Sequence, residues 1–99
     1  AEIRLENKRQ ILRLDLAEET DSEKIISGIK IKNPDIKIIE LANCSNSTLL
    51  VSKKIMNDYI IDEYRFSGIP DLNNTFKKII FQLEKDNIIV KFTDKHLPD

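Results

Sequence analysis

An apolar stripe near the carboxyl end of the chain is the feature that most constrains the fold. Its members stand at i, i+4, i+7, i+8 and i+11, and they are Leu72, Phe76, Ile79, Ile80 and Leu83. This spacing places the five side chains on one face of an α-helix, with polar side chains opposite. Pro70 and Asp71 suit the first turn of that helix, and Asn87 can adopt the left-handed conformation that ends it. The rest of the 99-residue chain must supply an apolar layer for this helix to pack against.

A second helix is predicted over residues 21–32. The preceding segment, Thr20-Asp21-Ser22-Glu23, has the spacing of a capping box, in which the first side chain accepts from an amide three residues on. Three isoleucines then share one helical face: Ile25, Ile26 and Ile29. Pro34 ends the helix because the residue before a proline is disfavoured in the α conformation.

The amino-terminal part of the chain has two interpretations. Residues 11–16 alternate leucine with charged residues, which is the pattern of a half-buried strand. Residues 2–10 are good helix formers, so a single helix from residue 2 to about residue 18 is the rival interpretation. We expect residues 1–10 to form a helical stalk or linker, and the sequence leaves open whether residues 11–16 are a strand or part of that helix.

Further strands are predicted from apolar runs separated by polar turns. The runs are residues 35–42, 48–55, 59–67 and 88–92. Residues 43–47 favour a tight turn, because Asn and Ser side chains bond to nearby backbone groups. Together these elements predict a single α+β domain over residues 11–95, followed by a tail at residues 96–99. The expected fold is a ferredoxin-like split βαβ sandwich, with an antiparallel sheet and two helices on one face.

The residue types that form most metal sites, catalytic sites and phosphate-binding loops are scarce in this sequence. The chain has one cysteine, Cys44, and one histidine, His96, which is too few for a metal site built from these ligands. Its two glycines, Gly28 and Gly68, are too far apart for a glycine-rich phosphate loop. We therefore expect no enzymatic activity, no cofactor and no bound metal.

Charge and hydropathy exclude two further classes of partner. Sixteen basic and seventeen acidic residues give a formal charge of −1, so the chain has no general attraction to nucleic acid, and we expect no specific binding to it. No apolar run exceeds three residues, so no segment of this sequence spans a membrane. A local basic patch would form if the elements that carry four lysines met: Lys53, Lys54, Lys77 and Lys78. That patch supports the alternative function, a small regulatory module that binds nucleic acid or another ligand.

The first function hypothesis is a non-catalytic interaction or scaffold domain. An open sheet has two edge strands with unpaired backbone groups, which proteins cover, charge or use for pairing. The candidate interaction surface combines aromatic residues of the 59–67 strand with residues of the last strand, and its members are Tyr59, Tyr64, Phe66, Ile89 and Lys91. The alternative for the three aromatic residues is packing in the core or on the sheet. The expected partner is a second copy of the chain or a paralogous domain of the same fold.

The order of these elements resembles a known family. A helix over residues 23–32 leads into the strand at 36–41, a polar turn precedes the apolar residues 49–51, and the short strand at 64–68 ends in glycine before a helix that closes at 81–84. This layout is similar to the periplasmic ferredoxin-like domains of bitopic inner-membrane proteins in type IV pilus and type II secretion assembly platforms. The resemblance implies a scaffold at the periplasmic face of the inner membrane, with a membrane anchor outside this sequence and no catalytic residues. Without the resemblance, the sequence leaves the compartment open, with the cytoplasm as the default.

Overall fold

The computed structural model describes residues 2–32, 34–43, 45–67 and 74–93, and within the last range it describes the side chains of residues 77–92. In chain order the elements are β1 (Glu2–Glu6), β2 (Arg9–Leu14), α1 (Ser22–Ile31), β3 (Ile36–Leu41), α2 (Asn46–Asp58), β4 (Glu63–Ser67), α3 (Asn74–Lys85) and β5 (Ile89–Thr93). The strands form one sheet in sequential order, β1-β2-β3-β4-β5. The β1–β2 pair is antiparallel, and the three pairs from β2 to β5 are parallel.

The predicted mixture of helices and strands around one sheet is confirmed, and its arrangement differs from the prediction. The described residues contain three helices instead of two, and most of the sheet is parallel instead of antiparallel. The ferredoxin-like arrangement is therefore not confirmed. The difference arises at residues 48–55, which were predicted as a strand and belong to α2. A helical crossover returns the chain to the same end of the sheet, so β3 and β4 run parallel.

The amphipathic pattern of α2 is partly polar, which explains the wrong prediction. The helix begins after Ser45, whose hydroxyl accepts from the Thr48 N–H at 3.0 Å. Its buried face carries Thr48, Val51, Ser52 and Ile55 at helical spacing, so only half of these positions are apolar. The apolar stripe of residues 48–55 therefore has too few members to indicate a helix from the sequence.

The predicted helical stalk at residues 1–10 is also wrong over its described part. Residues 2–6 form β1, which turns back into β2 through Asn7 and Lys8. Both turn residues have positive φ, 51° and 66°, as a two-residue hairpin of type I′ requires. The open question about residues 11–16 is settled in favour of a strand, since β2 runs from Arg9 to Leu14.

The other predicted elements agree with the structure within a few residues. Helix α1 lies within the predicted 21–32, although its N-cap is Asp21, which accepts from the Lys24 N–H at 3.2 Å, in place of Thr20. In the predicted stripe of α3, Leu83 is buried and Ile79 and Ile80 are half-buried. Two members of that stripe cannot be compared: Leu72 lies outside the described residues, and the Phe76 side chain lies outside the described side chains.

All three helices cover the same face of the sheet. One apolar cluster joins helix residues Ile26, Ile29, Val51, Ile55 and Leu83 to strand residues Leu12, Leu14, Ile39, Leu41, Tyr64 and Phe66. The strand residues of opposite parity, such as Ile11 and Ile38, are buried outside this cluster. Successive right-handed crossovers in one direction along a sheet place every helix on one side. No helix of the described residues lies on the second face, which is here called the helix-free face.

Candidate interaction surface

The two edges of the sheet differ in how they are protected. On β1, three of the five residues are charged: Glu2, Arg4 and Glu6. On β5, Lys91 is the one charged residue, and it lies between two exposed apolar side chains, Ile89 at 54% and Phe92 at 59% exposure. Charged side chains on an edge strand prevent pairing with other chains. The β5 edge carries much less of this protection than the β1 edge.

The free backbone groups of β5 can be assigned from its pairing with β4. The Ile89 N–H donates to the Asp62 carbonyl at 3.1 Å, so the backbone groups of Ile89 face β4. Because backbone groups alternate in direction along a strand, those of Val90 and Phe92 point away from β4. Within the described part of the chain, no strand pairs with that side of β5. The edge therefore presents two residues whose N–H and C=O groups are available for pairing.

The five residues predicted to form an interaction surface do not lie together. Ile89 and Lys91 are exposed on β5, and Tyr59 is half-buried at the C-cap of α2. Tyr64 and Phe66 belong to the core, with exposures of 1% and 2%, so their assignment to a surface is wrong and the alternative, core packing, is confirmed for both. The physical reason is the sheet order, because β4 is an interior strand beneath the helices and its even-numbered side chains face them.

The helix-free face carries a network of ion pairs across all five strands. In one row of the sheet the residues in register are Glu2, Arg13, Glu40, Arg65 and Lys91. The Glu40 carboxylate accepts hydrogen bonds from both terminal guanidinium nitrogens of Arg4, at 3.0 and 3.1 Å. Its Oε2 also lies 3.4 Å from Arg13 Nε. Glu63 pairs with Arg65, and Lys91 lies 3.5 Å from the same carboxylate. Long charged side chains thus cover the apolar residues that this face buries.

The Glu63 carboxylate in this network remains ionised at neutral pH. Burial by itself raises the pKa of Glu63. The hydrogen bond and charge of Arg65, together with Lys91, lower this pKa by more than burial raises it, so the net shift is downward. A general acid at neutral pH needs the opposite shift. The downward shift therefore reflects the ion pairs that hold Glu63 within the helix-free face.

A second polar cluster fixes the start of α2 against the end of β2. The Thr48 hydroxyl accepts from the Leu16 N–H at 3.0 Å and donates to Asn43 Oδ1 at 2.7 Å. Asn43 Nδ2 in turn donates to Asp15 at 2.6 Å and to the Leu16 carbonyl at 2.9 Å. Among the described residues, every buried side-chain nitrogen and oxygen has a hydrogen-bond partner. This cluster is internally satisfied, so we assign it to the fold instead of to a ligand.

The predicted lysine patch is formed in part. Lys53 of α2 and Lys78 of α3 line the same groove between these helices, which has a volume of about 390 Å³. Lys54 does not line the groove, and Lys77 lines a separate depression on α3 beside Phe81. The sequence analysis named these four lysines. It could not predict which of them lie together, because it assigned residues 48–55 to a strand instead of to α2.

Within residues 2–32, 34–43, 45–67 and 74–93, no group of three or more His, Cys, Asp and Glu residues could hold a metal ion. No helix in the same ranges has the length and hydropathy needed to cross a bilayer. Cys44 and His96 lie outside the described residues. Comparisons with family models, with curated proteins and with solved structures found no match to this chain.

Proposed function

We propose that this chain is a non-catalytic protein-interaction domain that pairs with a second copy of itself through the free edge of β5. The observation that carries the proposal is the contrast between the two edges of one sheet. The β1 edge is protected by charge, whereas β5 exposes Ile89 and Phe92 beside free backbone groups. A domain that had to stay monomeric would be expected to protect both edges.

A twofold axis through Lys91 gives a self-complementary pairing. Two antiparallel copies of β5 then place Val90 of each copy opposite Phe92 of the other, and both residues face outward with free N–H and C=O groups. Such a pair forms four backbone hydrogen bonds. On the helix-covered face, the exposed Phe92 ring, which stacks on Phe66 at 5.5 Å, gains an apolar neighbour. The two sheets would continue into one.

Lys91 limits the strength of this pairing. The same axis places Lys91 opposite Lys91 of the second copy, and like charges directly opposite each other destabilise a strand pair. Glu63 of the same chain lies 3.5 Å from each Lys91 and offsets part of the repulsion. A single five-residue strand pair also buries little surface, so we expect a dissociation constant on the order of micromolar to millimolar.

Sedimentation equilibrium with two matched variants tests the proposal. Ile89→Lys adds a positive charge beside Lys91 on the β5 edge and should abolish association. Leu5→Lys introduces the same charge at another exposed apolar residue, on the β1 edge, and should leave association unchanged; Leu5 is 68% exposed and Ile89 54%. Lys91→Thr removes the repulsion and should strengthen association. A wild-type protein that stays monomeric at millimolar concentration, or equal losses in both lysine variants, would refute β5 pairing.

Amide exchange gives a second readout that mutation does not disturb. In the monomer the Val90 and Phe92 amides point away from β4 and pair with no described strand, whereas the Ile89 amide donates to the Asp62 carbonyl. Raising the protein concentration should slow exchange at Val90 and Phe92 alone. Slowing at β1 instead would identify the other edge as the interface and contradict the proposal.

A narrower proposal places the domain in a pilus or secretion assembly platform, where a paralogous domain could replace the second copy. Its support is the resemblance of the element order, and this support is reduced because residues 49–51 lie in α2 and the sheet is mostly parallel. An apolar segment of about 20 residues upstream of Ala1 in the gene would favour this location. The β5 pairing does not depend on it.

A further inference from the structure

The groove between α2 and α3 combines an apolar floor with a basic end. Its apolar lining comes from Met56, Ile79, Leu83 and the ring of Tyr64. Its volume of about 390 Å³ lies within the range of small-molecule sites, roughly 300–1,000 Å³. Tyr64 and Leu83 are 1% and 3% exposed, so this part of the floor belongs to the core, whereas Met56 and Ile79 are half-buried at its surface.

The floor carries no charge at neutral pH. Burial raises the pKa of Tyr64 to about 12, despite a hydrogen bond with Ser52 that acts in the opposite direction, so its hydroxyl stays protonated. The Ser52 hydroxyl donates to the Leu49 carbonyl at 2.8 Å and is 2% exposed. Both polar groups of the floor therefore have partners within the protein. An aliphatic chain would meet no unsatisfied donor there.

The polar lining is divided between the two ends of the groove. Helices α2 and α3 both connect parallel neighbouring strands, so they run in the same direction. Lys53 and Lys78 precede the apolar residues on their helices, whereas Asn57 and Asp86 follow them. The lysines therefore share one end. Within the described residues neither lysine has an ion-pair partner, while the Asp86 carboxylate at the other end accepts from the Gln82 side chain at 3.3 and 3.4 Å.

We propose that this groove binds the carboxylate of a medium-chain fatty acid, with the head at Lys53 and Lys78 and the chain along Met56, Ile79 and Leu83. Two unpaired ammonium groups at one end favour a single anionic head. The distance from Lys78 to Asp86 along α3 is about 12 Å, eight residues at the helical rise, which suits an aliphatic chain of medium length. A longer acyl chain would extend past the end of the groove at Asp86, where the carboxylate disfavours contact with apolar groups.

Titration with sodium octanoate below its micelle concentration, followed by amide and methyl NMR, tests this assignment. Octanoate should shift the methyl signals of Met56, Ile79 and Leu83. Octanol supplies the chain without the charge, and butyrate supplies the head without the chain, so both should bind at least several-fold more weakly. If octanol bound as tightly as octanoate, the lysines would have no role in binding. If butyrate bound as tightly as octanoate, the apolar groove would have none.

Matched lysine variants separate the groove from general electrostatics. Lys53→Gln combined with Lys78→Gln should weaken octanoate binding by about tenfold, since each exposed ion pair contributes modestly. Lys54→Gln combined with Lys77→Gln removes the same charge from neighbouring positions and should change binding by less than about twofold. Equal effects of the two double variants would overturn the proposal. So would binding to anionic phosphatidylglycerol vesicles without any octanoate-induced shift, because that result indicates adsorption to a membrane surface.

Discussion

Arg4 of β1 and Glu40 of β3 form a bidentate ion pair that bridges the strand between them. Both guanidinium–carboxylate hydrogen bonds are 3.0–3.1 Å long, and Glu40 is 5% exposed. Ile11 of β2 lies opposite Arg4 in the sheet and is fully buried, although none of the described helices covers this face. The ion pair therefore contributes to the cover of Ile11 on the helix-free face.

Removing Arg4 should destabilise the domain. Arg4→Ala takes away two charge-assisted hydrogen bonds and exposes Ile11, and we expect a loss of about 1–2 kcal/mol in the free energy of unfolding. The loss stays moderate because Arg13 remains near Glu40. Arg4→Lys is the control: a lysine keeps the charge without the bidentate geometry, so it should restore only part of the stability. Urea denaturation measures both changes, and equal stability of the lysine variant and the parent would contradict the bidentate geometry.

The pKa of Glu63 predicts how the domain responds to acid. The folded chain holds this pKa below its ordinary value of 4.5, so the unfolded chain binds the proton more tightly. The ion pairs of Glu63 therefore contribute stability above pH 4.5, and that contribution is lost as the pH falls through the lower, folded value. Glu63→Gln should lower stability at pH 7 and reduce the acid dependence below pH 4.5. Urea midpoints measured across this pH range give the result, and an unchanged acid dependence in the variant would exclude this role of Glu63.

Tyr64 predicts the opposite limit of the pH range. The pKa of Tyr64 is raised from 10.0 to about 12 in the folded chain. Between pH 10 and about pH 12 the Tyr64 hydroxyl therefore ionises in the unfolded chain and stays protonated in the folded one. Stability should therefore fall as the pH rises above 10, by about 2–3 kcal/mol in total for a shift of this size. Tyr64→Phe cannot ionise and should remove this decrease. Denaturation of both proteins between about pH 8 and 11 tests it, and the same decrease in the phenylalanine variant would assign the effect to other groups.

Thr48 should be the most sensitive polar position at the start of α2. Thr48→Val keeps the shape of the side chain and removes the hydroxyl, which leaves the buried Leu16 N–H without its acceptor. An unsatisfied buried donor costs about 1–3 kcal/mol. Thr20→Val is the matched control, because the Thr20 hydroxyl makes one exposed hydrogen bond to the Ala17 carbonyl, and its effect should stay within about 0.5 kcal/mol. Thermal or urea unfolding compares the two, and similar losses would argue against the role of Thr48.

The sequence predicted the elements that obey a simple period and missed those that do not. Helix α1, strand β3, helix α3 and strand β5 follow apolar patterns that periodicity identifies. Helix α2 buries Ser47, Thr48 and Ser52. Ser52 donates to the nearby Leu49 carbonyl, whereas Ser47 and Thr48 bond to Glu18 and Leu16, 29 and 32 positions away, and no apolar pattern records these bonds. The β1–β2 turn contains no glycine, so its type I′ geometry has a weak sequence signal.

The candidate surface was predicted in part for a related reason. Ile89 and Lys91 lie on the last strand, and the last strand is an edge in the predicted fold and in the observed one. Tyr64 and Phe66 were misplaced because the position of β4 depends on whether the preceding segment is a hairpin arm or a helical crossover. Strand order is a property of these connections, and a pattern within one strand does not contain it.

The sequential order of the sheet makes the molecule a short linear array. Residues in register on successive parallel strands, Leu12, Ile39, Tyr64 and Val90, are separated by 27, 25 and 26 positions, so each βα unit contacts mainly the units before and after it. In such arrays stability is close to a sum over neighbours, and a terminal unit that lacks one neighbour opens first. The β1 hairpin caps one end of the array, and among the described residues no strand pairs with the outer side of β5 at the other end. Pairing of two copies at β5 would therefore give each terminal unit its missing neighbour and suppress local unfolding at the same position.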